Sequence, residues 1–98
     1  MNIIYVDNNA TTRVDPAVVE AMMPYYTENY GNPSSMHAFG GKVARAVSKA
    51  REQVASLINA SPDEIIFTSC GTESDSTAIS ATISSIPDKK HIITSRVE

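Results

Sequence analysis

Residues 69–75 are the part of this sequence best suited to chemistry, because the stretch SCGTESD combines hydroxyl, thiol and carboxylate groups with a glycine. It follows an apolar run at residues 65–68 and precedes a helical pattern, so the sequence predicts a strand, a loop and the start of a helix. Free amides and the helix dipole attract anions at such a start, and Gly71 lets a ligand approach the backbone closely. A phosphate group suits this pattern. A plain capped helix is the alternative, and the residues taken alone favour it.

Two further polar stretches could reach a ligand. Residues 7–12, DNNATT, follow a short apolar run, and residues 31–37, GNPSSMH, lie between two predicted helices. Side-chain amides and hydroxyls of this kind either line a pocket or bond their own backbone in a turn. The residues alone leave both interpretations open, and the turn is the simpler one.

Several common site patterns are missing. No phosphate-loop lysine follows Gly71 and no Gly-x-Gly-x-x-Gly pattern occurs, which argues against nucleotide binding. Cys70 could have a lowered thiol pKa at a helix start, but a small buried packing residue is the interpretation that we favour. His37 and His91 lack metal-ligand spacing, so the sequence predicts no metal site, and a single cysteine excludes an internal disulfide.

The hydrophobic pattern predicts the elements that would position these residues. Asp15 and Pro16 form a helix start signal. Apolar side chains at helical spacing predict helices at residues 16–28, 42–59 and 72–84. Short apolar runs predict strands at residues 3–6, 65–68 and 91–95. The second half is therefore a β-α-β unit with parallel strands, and because parallel sheets are normally covered on both faces, we expect more polypeptide around it.

Size and composition are those of an ordinary globular segment. The chain has 98 residues, of which 42% are apolar and 19% charged, and its formal net charge is −3. No basic stripe is present to neutralise phosphates, so nucleic-acid binding is not expected. No apolar stretch approaches the ~20 residues of a membrane span, and the first residues do not resemble a signal peptide. We therefore expect a cytoplasmic protein with no membrane association.

Three motifs together resemble the NifS/IscS-type cysteine desulfurases, which are related to the class V aminotransferases. The motifs are DNNATT at residues 7–12, YGNPSS at residues 30–35 and FTSCGTESD at residues 67–75. They occur in the same order and at matching separations as in that family, and the resemblance extends over residues 5–98. Three long motifs in order are a stronger signal than any one of them alone.

The resemblance implies the fold, cofactor and reaction of a longer enzyme. The family has the α/β fold of pyridoxal 5′-phosphate (PLP) dependent transferases of fold type I, with a mainly parallel sheet flanked by helices and a smaller domain. Its members are homodimers that take sulfur from L-cysteine, release L-alanine and leave a persulfide on an enzyme cysteine. The sulfur goes to scaffold proteins for iron–sulfur cluster assembly. Here, residues 1–30 would contribute to the smaller domain and residues 31–98 would begin the large PLP-binding domain.

Carried over residue by residue, the resemblance implies that Gly71 and Thr72 hold the PLP phosphate. The loops that would lie near the substrate pocket contain Asn8, Ala10, Thr11 and Asn32. Two positions depart from the family: Gly71 stands where alanine is frequent, and Ser76 where asparagine is common. Neither change removes a backbone amide, so the phosphate contacts implied by the resemblance are kept.

The family's catalytic residues have no counterpart in this sequence. These are the lysine that forms the Schiff base, the aspartate and histidine that contact the PLP ring, and the mobile cysteine that receives sulfur. We therefore expect no catalytic residue in this segment and no activity from the 98-residue chain alone. Two alternatives remain: another fold-type I PLP enzyme, such as a selenocysteine lyase or a class V aminotransferase, and a non-catalytic module that binds a phosphate-bearing ligand or a partner protein.

Overall fold

A computed structural model of the chain describes residues 3–97, which form three α-helices and one short 3-10 helix. The helices are α1 (Pro16–Thr27), α2 (Ala38–Leu57) and α3 (Gly71–Ser85), and the 3-10 turn is Pro62–Glu64. The chain divides into two compact units, Met1–Pro62 and Asp63–Glu98. The first unit contains α1 and α2, and the second contains α3. The division into a smaller and a larger domain at residue 30 stays a prediction.

Helix α1 begins where the sequence predicts and ends one residue earlier. The Ala17 backbone N–H donates to Asp15 Oδ1 at 2.8 Å, and Pro16 occupies the first helical position, where its missing N–H costs nothing. At the other end, the Glu28 N–H donates to the Pro24 carbonyl at 2.9 Å. Local hydrogen bonds therefore determine both ends of this helix.

Helix α2 begins four residues before the predicted start because a histidine caps it. The His37 backbone is extended, and its Nδ1 accepts a hydrogen bond from the Gly40 N–H at 3.1 Å. Histidine is not among the usual capping residues, so the sequence pattern did not indicate this start. His37 therefore has a structural role as a helix cap.

Helix α2 ends two residues before the predicted end, and a residue in the left-handed backbone conformation follows it. Asn59 has a φ of 56°, which places it in the region that asparagine tolerates better than most residues. The Ala60 N–H donates to the Ala55 carbonyl at 2.9 Å, and the Asn59 N–H donates to the Ser56 carbonyl at 3.4 Å. This pair of bonds is a Schellman motif, which satisfies carbonyls that the helix leaves without partners.

The predicted strands are wrong for the part of the chain that the structure describes. Residues 3–6, 65–68 and 91–95 form neither helix nor strand, and no sheet occurs within residues 3–97. A strand exists only when a neighbouring strand pairs with its N–H and C=O groups. The apolar runs mark segments that can pair, but within this chain they do not pair with each other. The predicted parallel sheet of the α/β fold is therefore not observed here.

Little apolar surface is buried. Among the described residues, the buried apolar side chains are Ala55, which is 1% exposed, and Ile65, which is 9% exposed. Leu57 is one of the apolar side chains at helical spacing in α2, yet it is 85% exposed. The apolar side chains of α2 are therefore covered only in part by the described residues: Val43, Ala46 and Val47 are half-buried, whereas Leu57 is exposed. No helix within residues 3–97 combines the length and apolar character that a membrane crossing requires.

Candidate functional site

The first turn of α3 presents backbone amides that have no carbonyl acceptor. Cys70 precedes the helix in an extended conformation, and the first backbone bond of the helix runs from the Ser74 N–H to the Cys70 carbonyl at 3.1 Å. The N–H groups of Gly71, Thr72 and Glu73 donate to no backbone carbonyl among the described residues, as expected for the start of a helix. These three N–H groups lie at the N-terminus of α3, where the donors and the helix dipole attract an anion.

Open space surrounds Gly71. A Cβ atom built on this residue would meet no other atom within 4 Å, and its φ is not positive. Glycine is therefore not needed here for backbone conformation, and an alanine would fit. The alanine that is frequent at this position in the resembled family could thus be accommodated without a clash. The same open space allows a ligand to reach the amides of the first turn.

Thr72 supplies a hydroxyl beside these amides. Its side chain is exposed and makes no hydrogen bond with any residue in the described range. The hydroxyls of Thr68 and Ser74 behave differently: their oxygens lie 2.6 Å apart, and both lie within hydrogen-bond distance of the Cys70 carbonyl, at 3.1 and 3.2 Å. They stabilise the turn, and the Thr72 hydroxyl stays available to a ligand.

The Glu73 carboxylate forms hydrogen bonds with Ser69, the residue before the helix cap. Glu73 Oε2 accepts hydrogen bonds from the Ser69 backbone N–H at 2.7 Å and from the Ser69 hydroxyl at 2.5 Å. The serine hydroxyl, followed by the serine N–H, lowers the pKa of the Glu73 carboxyl. Both bonds favour the ionised form of the carboxyl, because an ionised carboxylate is a pure acceptor.

Cys70 is exposed, which corrects the prediction that it is a buried packing residue. The backbone N–H of Glu73, followed by the Ser69 hydroxyl, lowers the pKa of the Cys70 thiol. The physical cause is that a helix N-terminus stabilises the thiolate. The thiol therefore shares the electropositive environment that an anionic ligand would use.

The loop at residues 7–12 is a hydrogen-bonded turn. The Asp7 carbonyl accepts from the Ala10 N–H at 3.1 Å, from the Thr11 N–H at 3.4 Å and from the Tyr5 hydroxyl at 2.8 Å. Asn8, Ala10 and Thr11 are all exposed on this turn. Their side chains are accessible, while the amides of Ala10 and Thr11 already donate to the Asp7 carbonyl.

Asn32 stabilises its own loop, the second of the two loops predicted to lie near the substrate pocket. Its Oδ1 accepts from the Ser34 N–H at 2.9 Å, and its carbonyl accepts from the Ser35 N–H at 3.0 Å. The loop lies against the start of α2. The contact is so close that a Cβ atom added to the buried Gly40 would be only 2.5 Å from the Asn32 carbonyl oxygen. The side-chain oxygen of Asn32 is thus used within the turn, and its amide NH₂ group is the part available to a ligand.

The structure brings only some of the predicted site residues together. Gly71 and Thr72 are adjacent in the first turn of α3. In the other unit, no hydrogen bond of the described residues joins the turn at residues 7–12 to the turn around Asn32. Sequence reasoning missed Glu73, although a glutamate three residues after a helix cap is a known start signal.

Comparisons with known proteins cover nearly the whole chain. A sequence profile of the family described as "Aminotransferase class-V" matches residues 4–98. A cysteine desulfurase of Trichormus azollae is 63% identical over 98 residues, which are 100% of this chain and 24% of that protein. The cysteine desulfurase NifS of Azotobacter vinelandii is 56% identical over 96 residues, which are 97% of this chain and 24% of that protein.

A solved structure gives the same result at the level of the fold. This structure, described as a NifS-like protein, superposes with a TM-score of 0.78 at 45% sequence identity, over 86% of this chain and 23% of that chain. The chain therefore spans about a quarter of the length of the curated relatives and of the solved structure that it matches.

Proposed function

Because the chain belongs to the aminotransferase class-V family, we propose that it is the N-terminal part of a PLP-dependent cysteine desulfurase. Its relatives at 54–63% identity carry that name. The full-length protein would take sulfur from L-cysteine, release L-alanine and hold the sulfur as a persulfide. The motifs at residues 7–12, 30–35 and 67–75 support this proposal, since they are the stretches through which the sequence resembles the desulfurases.

The observation that carries the proposal is the unpaired first turn of α3. The residues present fit the phosphate of PLP: two amides at Gly71 and Thr72 that no carbonyl accepts, the hydroxyl of Thr72 and open space around Gly71. When bound, PLP supplies an electron sink for reactions at the amino-acid α-carbon. Gly71 and Thr72 would bind and orient the cofactor through its phosphate, and they would take no part in bond breaking.

The remaining features of the enzyme are part of the same proposal. Asn8, Ala10, Thr11 and Asn32 would contribute to the substrate pocket, and residues 1–30 would belong to the smaller domain. The Schiff-base lysine and the sulfur-accepting cysteine would lie in the three quarters of the relatives' length that this chain does not span. The full-length enzyme would act as a homodimer in the cytoplasm and pass its sulfur to an iron–sulfur scaffold protein.

Substitution of the free hydroxyl tests the cofactor site. In the full-length protein, Thr72→Ala should weaken PLP binding by about tenfold or more, because a hydrogen bond to a charged phosphate is lost. Thr82→Ala is the matched control: it is the same substitution in the same helix, but the Thr82 hydroxyl bonds to the Ala78 carbonyl at 2.7 Å. PLP affinity is measured by fluorescence titration. Equal affinities of the two variants would contradict the proposed phosphate site.

The reaction itself is tested by its products. Purified full-length protein loaded with PLP should release equal amounts of L-alanine and of sulfide when L-cysteine and a reducing thiol are supplied. The reductant frees the sulfur from the enzyme persulfide, so both products can be measured in one sample. Transamination products without sulfide would instead indicate an aminotransferase.

A further inference from the structure

We propose that Glu73 is a positioning residue for the phosphate-binding turn: by holding Ser69, it keeps the turn in the form that presents the amides of Gly71 and Thr72. This inference rests on the proposed function, because it assigns a role at the same PLP site. Glu73 would not touch the phosphate. It would act through the backbone that does.

The geometry supports this role. Both hydrogen bonds from Ser69, at 2.7 Å from the N–H and 2.5 Å from the hydroxyl, reach the same atom, Glu73 Oε2. They join residues on either side of the segment 70–72, so they close a small ring at the point where the chain enters the helix. The bonds restrict the extended backbone of Cys70, and the direction of the first helical amides depends on that conformation.

The charge of Glu73 makes its orientation important. A carboxylate at the third helical position is attracted to the N-terminal amides, where it could occupy the donors that a phosphate needs. In this structure, Glu73 Oε2 is bonded to Ser69, and no side chain caps the N-terminal amides through a hydrogen bond. The Ser69 hydroxyl, followed by its N–H, lowers the pKa of the Glu73 carboxyl, because both bonds favour the ionised form that accepts them. Ser69 thus draws the competing carboxylate away from the phosphate position.

Three substitutions separate the hydrogen bonds from the charge. Glu73→Ala removes both bonds and frees Ser69. Glu73→Gln removes the charge but keeps a side-chain oxygen that can accept the Ser69 N–H. Ser69→Ala removes the hydroxyl bond and keeps the amide bond. Glu52→Ala is the control, since Glu52 is an exposed glutamate in α2 and the change of residue type is the same.

The experiment measures the affinity of the full-length protein for PLP and for pyridoxal, which lacks the phosphate. For Glu73→Ala we expect about tenfold weaker PLP binding and an unchanged affinity for pyridoxal, within about twofold. Glu73→Gln should restore PLP affinity to within about threefold of the wild type. Ser69→Ala should give an intermediate loss, and Glu52→Ala none. Melting temperatures of the PLP-free proteins verify that each variant is folded.

Several outcomes would overturn the inference. Equal losses for PLP and pyridoxal in Glu73→Ala would mean a general structural defect, and equal losses in Glu73→Ala and Glu73→Gln would mean that charge, not hydrogen bonding, matters. If Glu73→Ala does not fold, Ser69→Ala is tested in its place. A loss of affinity for PLP alone then supports the inference, and equal losses of affinity for PLP and pyridoxal overturn it. Failure of the proposed function is distinguishable, because in that case Thr72→Ala would bind PLP as tightly as the wild type.

Discussion

At the scale of single residues, the start of α3 holds two acidic groups in an electropositive turn. The pKa of the Cys70 thiol is lowered chiefly by the Glu73 N–H, and the pKa of the Glu73 carboxyl chiefly by the Ser69 hydroxyl. Both shifts arise from hydrogen-bond donors that favour the charged form, although the main donor differs: an amide of the helix start for the thiol and Ser69 for the carboxyl. The turn therefore favours negative charge whichever group supplies it, which is the property required of a phosphate site.

This property predicts the reactivity of Cys70. A lowered thiol pKa leaves more thiolate at neutral pH, so iodoacetamide should alkylate Cys70 faster at pH 7 than it alkylates an unperturbed cysteine. PLP, or inorganic phosphate at high concentration, should slow the reaction because it competes for the same amides. Peptide mass spectrometry of the full-length protein measures the rate at this residue. A rate that neither ligand changes would contradict a shared anion site.

At the scale of elements, two adjacent glycines in α2 have different roles. A Cβ atom on Gly40 would lie 2.5 Å from the Asn32 carbonyl oxygen and 2.8 Å from the Ser35 carbonyl oxygen, both backbone atoms that cannot move independently of the loop. A Cβ atom on Gly41 would meet only the flexible end of Arg45, at 3.8 Å. The close contact at Gly40 is what allows the loop to pack on the helix.

This difference predicts opposite effects of the same substitution. Gly40→Ala should destabilise the protein by about 1–3 kcal/mol, because the loop must move away from the helix. Gly41→Ala should stabilise it by about 0.5–1 kcal/mol, because alanine favours the helix and restricts the unfolded chain. Thermal unfolding of the two full-length variants gives the comparison. If Gly40→Ala were as stable as Gly41→Ala, the close packing described here would be wrong.

At the scale of the whole chain, apolar surface exceeds what the described residues can cover. Leu57, Ile66 and Ile93 are exposed in this chain, and so are the apolar side chains at residues 3–6. Large exposed apolar patches mark surfaces that other polypeptide covers. This agrees with the chain spanning about a quarter of its relatives' length, and it explains why runs with strand character remain unpaired.

The isolated 98-residue chain should therefore behave differently from the full-length protein. We expect it to bind a hydrophobic dye strongly and to release no sulfide from L-cysteine in the presence of PLP, because it lacks the residues that the family uses for catalysis. Dye fluorescence and a sulfide assay on the purified segment check both points, with the full-length protein as control. PLP-dependent sulfide release by the segment would contradict the assignment of catalysis to residues outside it.

The sequence by itself determined the features that depend on neighbouring residues. The start of α1 follows from Asp15 and Pro16, and the start of α3 beside Gly71 and Thr72 follows from the glycine and hydroxyl pattern, because caps and helical bonds join residues at most a few positions apart. The order of the three motifs was sufficient to indicate the family.

Only the three-dimensional structure decided which of several possible partners a residue contacts. The cap by His37, the close approach of Gly40 to Asn32 and the bonds from Ser69 to Glu73 use residue types that fit several roles, so the pattern does not select one. Strand pairing was predicted from local character, but a strand needs a partner elsewhere in a fold. Local character shows which segments can pair or be buried, and only the rest of the fold supplies the partner.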